Sequence, residues 1–203
     1  MAHFIVNPSP TTLHPFTASQ AVAAALRPGD LVVNLNYDTV FEIGLKQARV
    51  DFRYIPGPPE RRHLYMAKPH ASINLVCTAS EGRWTDPEHF QTVTYPDEDM
   101  TEFRGIVPPR FNKSFEQHPI AAAVCELIRR LFPESLTFWG VSLADSDRDL
   151  LDLYREWSRS LSRIELIHPN PTAEAKANIQ RLLGKAVKQF LSPEEWASEI
   201  RSA

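Results

Sequence analysis

The sequence predicts an α/β fold: a doubly wound, mostly parallel sheet with a Pro-rich irregular insertion, incomplete at its N-terminal side. Three observations carry this expectation. Short apolar runs rich in β-branched residues recur along the chain, helix-length amphipathic segments separate them, and prolines crowd residues 56–118 (Pro56, Pro58, Pro59, Pro69, Pro87, Pro96, Pro108, Pro109). With 203 residues and 43% hydrophobic content, the chain can build one sizeable core. We therefore expect a flexible N-terminal segment over 1–16, marked by Pro8, Pro10 and Pro15, and a single domain over 17–203 in which 56–118 forms an insertion or lid.

From Thr17 to Leu26 the pattern is helical, capped by Thr17 or Ser19 and stopped by Pro28-Gly29. The run "DLVVNL" at 30–35 reads as a strand buried on both faces. A helix from Thr39 to about Arg49 carries Val40, Phe41, Ile43, Gly44 and Leu45, and "VDFRYI" at 50–55 reads as the next strand. Within the insertion only "HLYMA" (63–67) and "INLVC" (73–77) look extended. A helix over about 119–132 places Ile120, Val124, Leu127, Ile128 and Leu131 on one face, and "SLTFWG" at 135–140 follows as a strand. Further along come a helix at about 147–160, a strand "RIELIH" at 163–168, and helices at about 172–183 and 193–202. Ser192, Pro193 and Glu195 open the last helix as a capping box.

Composition excludes several classes. The formal charge is −3 and no basic run exceeds the pairs Arg61-Arg62 and Arg129-Arg130, so the phosphate-backbone footprint of a nucleic-acid binder is lacking. No apolar stretch approaches the ~20 residues that span a bilayer, and the Pro-containing N-terminus does not resemble a signal peptide, so a cytoplasmic location is expected. Cys77 and Cys125 form no CxxC pair, so both are expected as reduced core residues with no metal site.

In open α/β sheets, ligands sit beyond the carboxyl ends of the strands, so polar residues following an apolar run are the candidate site. Asn34, Asn36 and Asp38 follow the first strand; Gly140, Ser142, Asp145 and Asp147 follow the strand at 135–140; His168 and Asn170 follow the strand at 163–168. The segment Lys68-Pro69-His70-Ala71-Ser72 lies between the two extended pieces of the insertion. Each has a structural reading beside the functional one: Asn36 and Asp38 suit the N-cap of the helix at Thr39, Asp145 and Asp147 suit that of the helix near 147, and a single histidine is commonly structural.

The strings "VVNLNYDTVFE" (32–42), "KPHASIN" (68–74), "VPPRFNKS" (107–114), "FWGVSLADSD" (138–147) and "IELIHPNP" (164–171) resemble, in order, the motif series of the sirtuin-like (silent-information-regulator-two-like) family. The resemblance covers roughly 17–185 and is closer to the bacterial NAD-hydrolysing branch, which includes antiphage defence effectors, than to the deacetylases. It implies a Rossmann-like sheet and an NAD or ADP-ribose pocket. By this likeness Asn36 and Asp38 hold the nicotinamide ribose and carboxamide, His70 handles a proton, and the two with Asn36 form the catalytic set. Gly140, Ser142 and Asp147 are implied near the ribose-phosphate, and His168 and Asn170 near the adenosine.

Three positions depart from the sirtuin pattern. Leu35 replaces a polar residue, Ala71 a usual glycine and His168 a usual asparagine. Paired cysteines between 71 and 139 are missing too, which argues against the zinc module of deacetylases and an acetyl-lysine substrate. The Gly-rich turn that receives a pyrophosphate is also missing, because the seven glycines (29, 44, 57, 82, 105, 140, 184) form no GxG. The expectation is an NAD-binding domain whose Gly-rich half comes from a second chain or a longer protein. The open readings are an NAD glycohydrolase, a non-catalytic nucleotide sensor or scaffold, and an inactive truncated remnant acting as a homo-oligomerisation surface.

Overall fold

The computed structural model describes residues 15–57, 62–77, 82–88, 103–106, 119–140, 143, 148–170 and 174–202. Most of the N-terminal segment 1–16, the string at 107–114 and the candidates Ser142, Asp145 and Asp147 lie outside the described residues.

The chain opens with helix α1 (Pro15–Ala23), whose first residue is a proline where φ is already helical and no N–H is needed. Strand β1 (Leu31–Val33) follows, then α2 (Val40–Gln47), β2 (Phe52–Tyr54) and β3 (Leu64–Ala67). All three strands are parallel in the order β1-β3-β2. Residues 64–67, expected inside the insertion, are thus the central strand of a sheet. Prolines before and after made the run look irregular, whereas burial of Leu64, Met66 and Ala67 fixes it between its neighbours. Next comes an antiparallel sheet of β4 (Ala71–Cys77), β5 (Gly82–Trp84) and β6 (Phe103–Ile106), ordered β5-β4-β6.

Helix α3 (Pro119–Arg129) leads to β7 (Ser135–Trp139), α4 (Arg148–Trp157), β8 (Arg163–Ile167), α5 (Glu174–Leu183), β9 (Lys188–Phe190) and α6 (Pro193–Ser202). Strands β7, β8 and β9 pair in parallel in that order. Three-residue β9 carries only Phe190 as a buried apolar side chain, so periodicity did not reveal it. In α3 the buried face runs through Ala121, Val124, Cys125 and Ile128, while Leu127 and Leu131, expected on it, are more than a third exposed. The capping box forms: Glu195 N–H donates to Ser192 Oγ at 3.1 Å, and Glu195 Oε2 accepts from Leu191 N–H at 2.6 Å.

The two parallel sheets share both of their faces. Val32, Leu64, Met66, Trp139, Ile167 and Phe190 join α1, α2 and α6 in one apolar cluster. Their neighbours Leu31, Val33, Ala67, Leu136, Phe138, Ile164 and Leu166 join α3, α4 and α5 in the other. Alternate side chains feeding opposite clusters is the signature of double winding, so the expected α/β class holds. Helices α1 and α2 cross closely at Gly44, where a Cβ would stand 2.7 Å from that of Ser19.

Buried polar groups pin the layers. Glu165 on β8, 1% exposed, accepts from Trp196 Nε1 of α6 at 2.8 Å and from Thr137 Oγ1 of β7 at 2.9 Å. Trp196→Phe removes one donor from a buried carboxylate and shrinks a fully buried indole to a single ring, and should lower stability by at least about 1–3 kcal/mol in urea unfolding.

Asp30 sits in the turn before β1, where its Oδ2 accepts from Arg27 N–H at 2.8 Å. Burial pushes its carboxyl up from 3.8 to about 6, against the pull of that hydrogen bond. A raised folded-state pKa means that the native protein binds the proton more tightly than the unfolded chain. Asp30 should therefore add stability as pH falls from about 7 towards 4, on the order of 2 kcal/mol. Asp30→Asn should flatten the melting temperature across that window.

Candidate functional site

The polar residues after β1 are held by those after β3. Asn34, buried at the strand end, extends the ladder through its N–H to Ala67 O at 2.8 Å. Its side chain turns the backbone: Oδ1 accepts from Asn36 N–H at 3.0 Å and Nδ2 donates to Glu42 Oε2 at 3.1 Å. Asn36 is half-buried and Asp38 exposed. Asp38 Oδ1 accepts from Val40 N–H at 3.0 Å, an Asx turn that leads into α2; the N-cap itself is Thr39, which makes no side-chain cap bond.

The chain after β3 makes a tight turn closed by Ala71 N–H to Lys68 O at 2.8 Å. Ala71 has φ of 62°, the left-handed region that favours glycine, which accounts physically for the glycine usual at this place in sirtuins. From this turn three groups reach back to the first loop. His70 Nδ1 lies 3.0 Å from Leu35 O, Ser72 Oγ donates to Tyr37 O at 2.9 Å, and Lys68 Nζ donates to Asp38 O at 2.5 Å. Ile73 N–H also donates to Tyr37 O at 2.9 Å. A carbonyl only accepts, so His70 Nδ1 carries a proton, and its Nε2 is buried from solvent. The Tyr37 and His70 rings stand 6.1 Å apart.

Beneath this contact lies an ion pair. Lys68 Nζ is 2.7 Å from Glu42 Oε1, and both side chains are 0% exposed. The sequence reading placed Asn34 and Lys68 in candidate segments without giving either a role of its own, and passed over Glu42; the signal available was a lysine ending the apolar strand "LYMA" and a glutamate inside the apolar stretch "VFEIGL". Next to it, Asn74 Nδ2 donates to Tyr54 OH and to Thr85 O, each at 2.9 Å, and Tyr54 stacks on Trp84 at 4.2 Å. Burial, helped by the charge of Glu42, holds the Tyr54 phenol above its ordinary range.

The remaining candidates sit at other strand ends. Gly140 follows β7 with φ of 69°. His168 and Asn170 form a turn of their own: Asn170 N–H donates to His168 Nδ1 at 3.1 Å, and Gln189 Nε2 donates to both carbonyls, at 3.1 and 2.7 Å. Phe41 in the first turn of α2 meets Trp139, the last residue of β7, edge to face at 6.3 Å. The carboxyl ends of β1 and β7 therefore open on the same side. The structure thus brings Asn36, Asp38 and His70 together, with Gly140 ending a strand on that side and His168 and Asn170 in a separate knot.

Two cavities lie elsewhere. One of about 1060 Å³ runs beside β2 and β5, lined by Lys46, Arg53, Tyr54, Trp84 and Asp86 among others. Another of about 540 Å³ lies between α4 and α5, against Leu143, Arg155 and Asn178. Among the described residues neither is lined by Asn36, Asp38 or His70. No group of three or more His, Cys, Asp or Glu among the described residues is arranged to hold a metal ion. Cys77 and Cys125 are buried thiols, that of Cys125 pushed up to about 12 by burial.

The architecture is that of the Sir2 fold. Two point-mutant Sir2 homologue–ADP-ribose complexes superpose with TM-scores of 0.54 and 0.55 at 16% and 15% identity, covering 91% and 97% of this chain and 66% and 68% of theirs. A structure described as the basis for the mechanism and regulation of Sir2 enzymes superposes with a TM-score of 0.53 at 10% identity, over 99% of this chain and 90% of that one. This chain thus spans about two thirds of the length of the first two relatives. No family model and no curated protein matches the sequence.

If the Asx turn of Asp38 holds the entry to α2, Asp38→Ala should cost about 1 kcal/mol in denaturant unfolding, the worth of one such hydrogen bond. A larger loss would show that the carboxylate supports the loop beyond that single bond.

Proposed function

We propose that this chain is the NAD-binding part of an NAD glycohydrolase, which turns NAD and water into nicotinamide and ADP-ribose. The observation that supports it most is the fastening of the Asn36–Asp38 loop to the His70 turn at a strand end of a Sir2 fold. Cleavage breaks the C–N bond between nicotinamide and the ribose; the ring leaves with the bonding electrons, and an oxocarbenium-like centre develops, as in glycoside hydrolysis. Water adds at that carbon and gives up a proton, a role this reading gives to His70; general-base help of this kind is worth ~10²–10⁴-fold. The Asn36 amide, able both to donate and accept, would hold the carboxamide or ribose hydroxyls. Gly140, Ser142, Asp147, His168 and Asn170 belong to the ribose-phosphate and adenosine side of this reading. No metal enters the chemistry. The bacterial antiphage-defence setting and a cytoplasmic location complete it.

A second reading, a nucleotide sensor or scaffold without turnover, is favoured by the missing GxG. Hydrogen bonds to charged groups are worth about 1.5–3 kcal/mol each, so lacking two pyrophosphate donors would weaken binding by roughly a hundredfold or more. A second chain, a further segment or a homo-oligomer could supply them.

Asn36→Ala and His70→Ala, made in the protein that turns NAD over, should each remove most nicotinamide release while the melting temperature stays near wild type. Chromatography of nicotinamide and ADP-ribose beside thermal melts checks this. Turnover surviving in His70→Ala would overturn the role given to His70, and wild-type protein that binds ADP-ribose but releases no nicotinamide would favour the sensor.

A further inference from the structure

We infer that Lys68 is a positioning residue that fixes both ends of the Asn36–Asp38 loop; the inference rests on the reading of that loop as the nucleotide site. Lys68 Nζ directs one hydrogen bond to Asp38 O at 2.5 Å and another to Glu42 Oε1 at 2.7 Å. Glu42 Oε2 receives Asn34 Nδ2 at 3.1 Å, and Asn34 Oδ1 receives Asn36 N–H at 3.0 Å. The bonds run as one chain from the backbone of residue 38, through an ammonium, a carboxylate and an amide, to the backbone of residue 36. The loop between is the one that carries the candidate Asn36 side chain.

Folding alone does not require this. A fully buried ion pair is costly to desolvate and is commonly replaced by apolar residues with no loss of stability. Lys68 follows buried Met66 and Ala67 at the end of β3, and Glu42 follows buried Phe41 in α2, so both charges sit in apolar stretches of chain. What apolar residues cannot supply is a donor for the Asp38 carbonyl and an acceptor for Asn34. Retaining the charge at 0% exposure therefore serves the shape of the loop.

The test is the charge-neutral pair Lys68→Met with Glu42→Gln, which leaves no unpaired buried charge and keeps an acceptor for Asn34. It should melt close to wild type. Amide exchange at Asn36–Val40 should accelerate roughly tenfold and ADP-ribose affinity by calorimetry should fall roughly tenfold, about 1.4 kcal/mol. Wild-type exchange and affinity in the folded double variant would overturn the inference.

Should that variant not fold, Lys68→Arg decides. It keeps the charge for Glu42, so a purely structural ion pair predicts wild-type exchange over 36–40. A planar, bulkier head that displaces the Asp38 carbonyl predicts faster exchange. Wild-type protein that does not take up ADP-ribose would sink the nucleotide reading, while the exchange measurements still decide whether Lys68 holds the loop.

Discussion

The buried contact between Lys68 and Glu42 is the constraint around which this end of the molecule is arranged. Taking both charges out of water costs several kcal/mol for each ion, and mutual attraction offsets this only when the remaining hydrogen-bonding capacity is used. Here it is used, by Asn34 on the carboxylate and by the Asp38 carbonyl on the ammonium. Three separate pieces of chain meet as a result: the end of β1, the first turn of α2 and the end of β3. The order β1-β3-β2 puts Lys68 beside Asn34 in the first place, because parallel pairing aligns Val33 with Ala67 and so carries the next residues out together.

Much of the fold was legible because apolar periodicity reports burial directly. Strands β1, β7 and β8 and helices α2, α4, α5 and α6 all lie within a few residues of their expected places. What failed was local punctuation overriding tertiary context. Leu64–Ala67 is flanked by prolines yet stands in the middle of a sheet, and Lys188–Phe190 is too short and too polar to signal a strand. Of the site, strand-end polar residues were readable as a class, since sheet geometry puts ligand-facing groups there. Their connectivity was not. Nothing in the spacing of Glu42 and Lys68, 26 positions apart, says that they touch.

The Sir2 fold and the site bear differently on function. Superposition at 10–16% identity shows a shared architecture alone; any chemistry has to be tested on this chain's own residues. His70 is tied through Nδ1 to the Leu35 carbonyl. Asp38 shapes the loop by an Asx turn into α2.

The turn at His70 has a mechanical side as well. Strand β4 starts at Ala71, one residue beyond His70, and its pairing with β5 sets Leu75 against Trp84, which stacks on Tyr54 of β2. The imidazole is thus the pivot of a short lever whose far arm is the antiparallel sheet and whose bearing is the left-handed bend at Ala71. Tilting β5 or separating the Tyr54–Trp84 stack would therefore act on the same strand that begins beside His70.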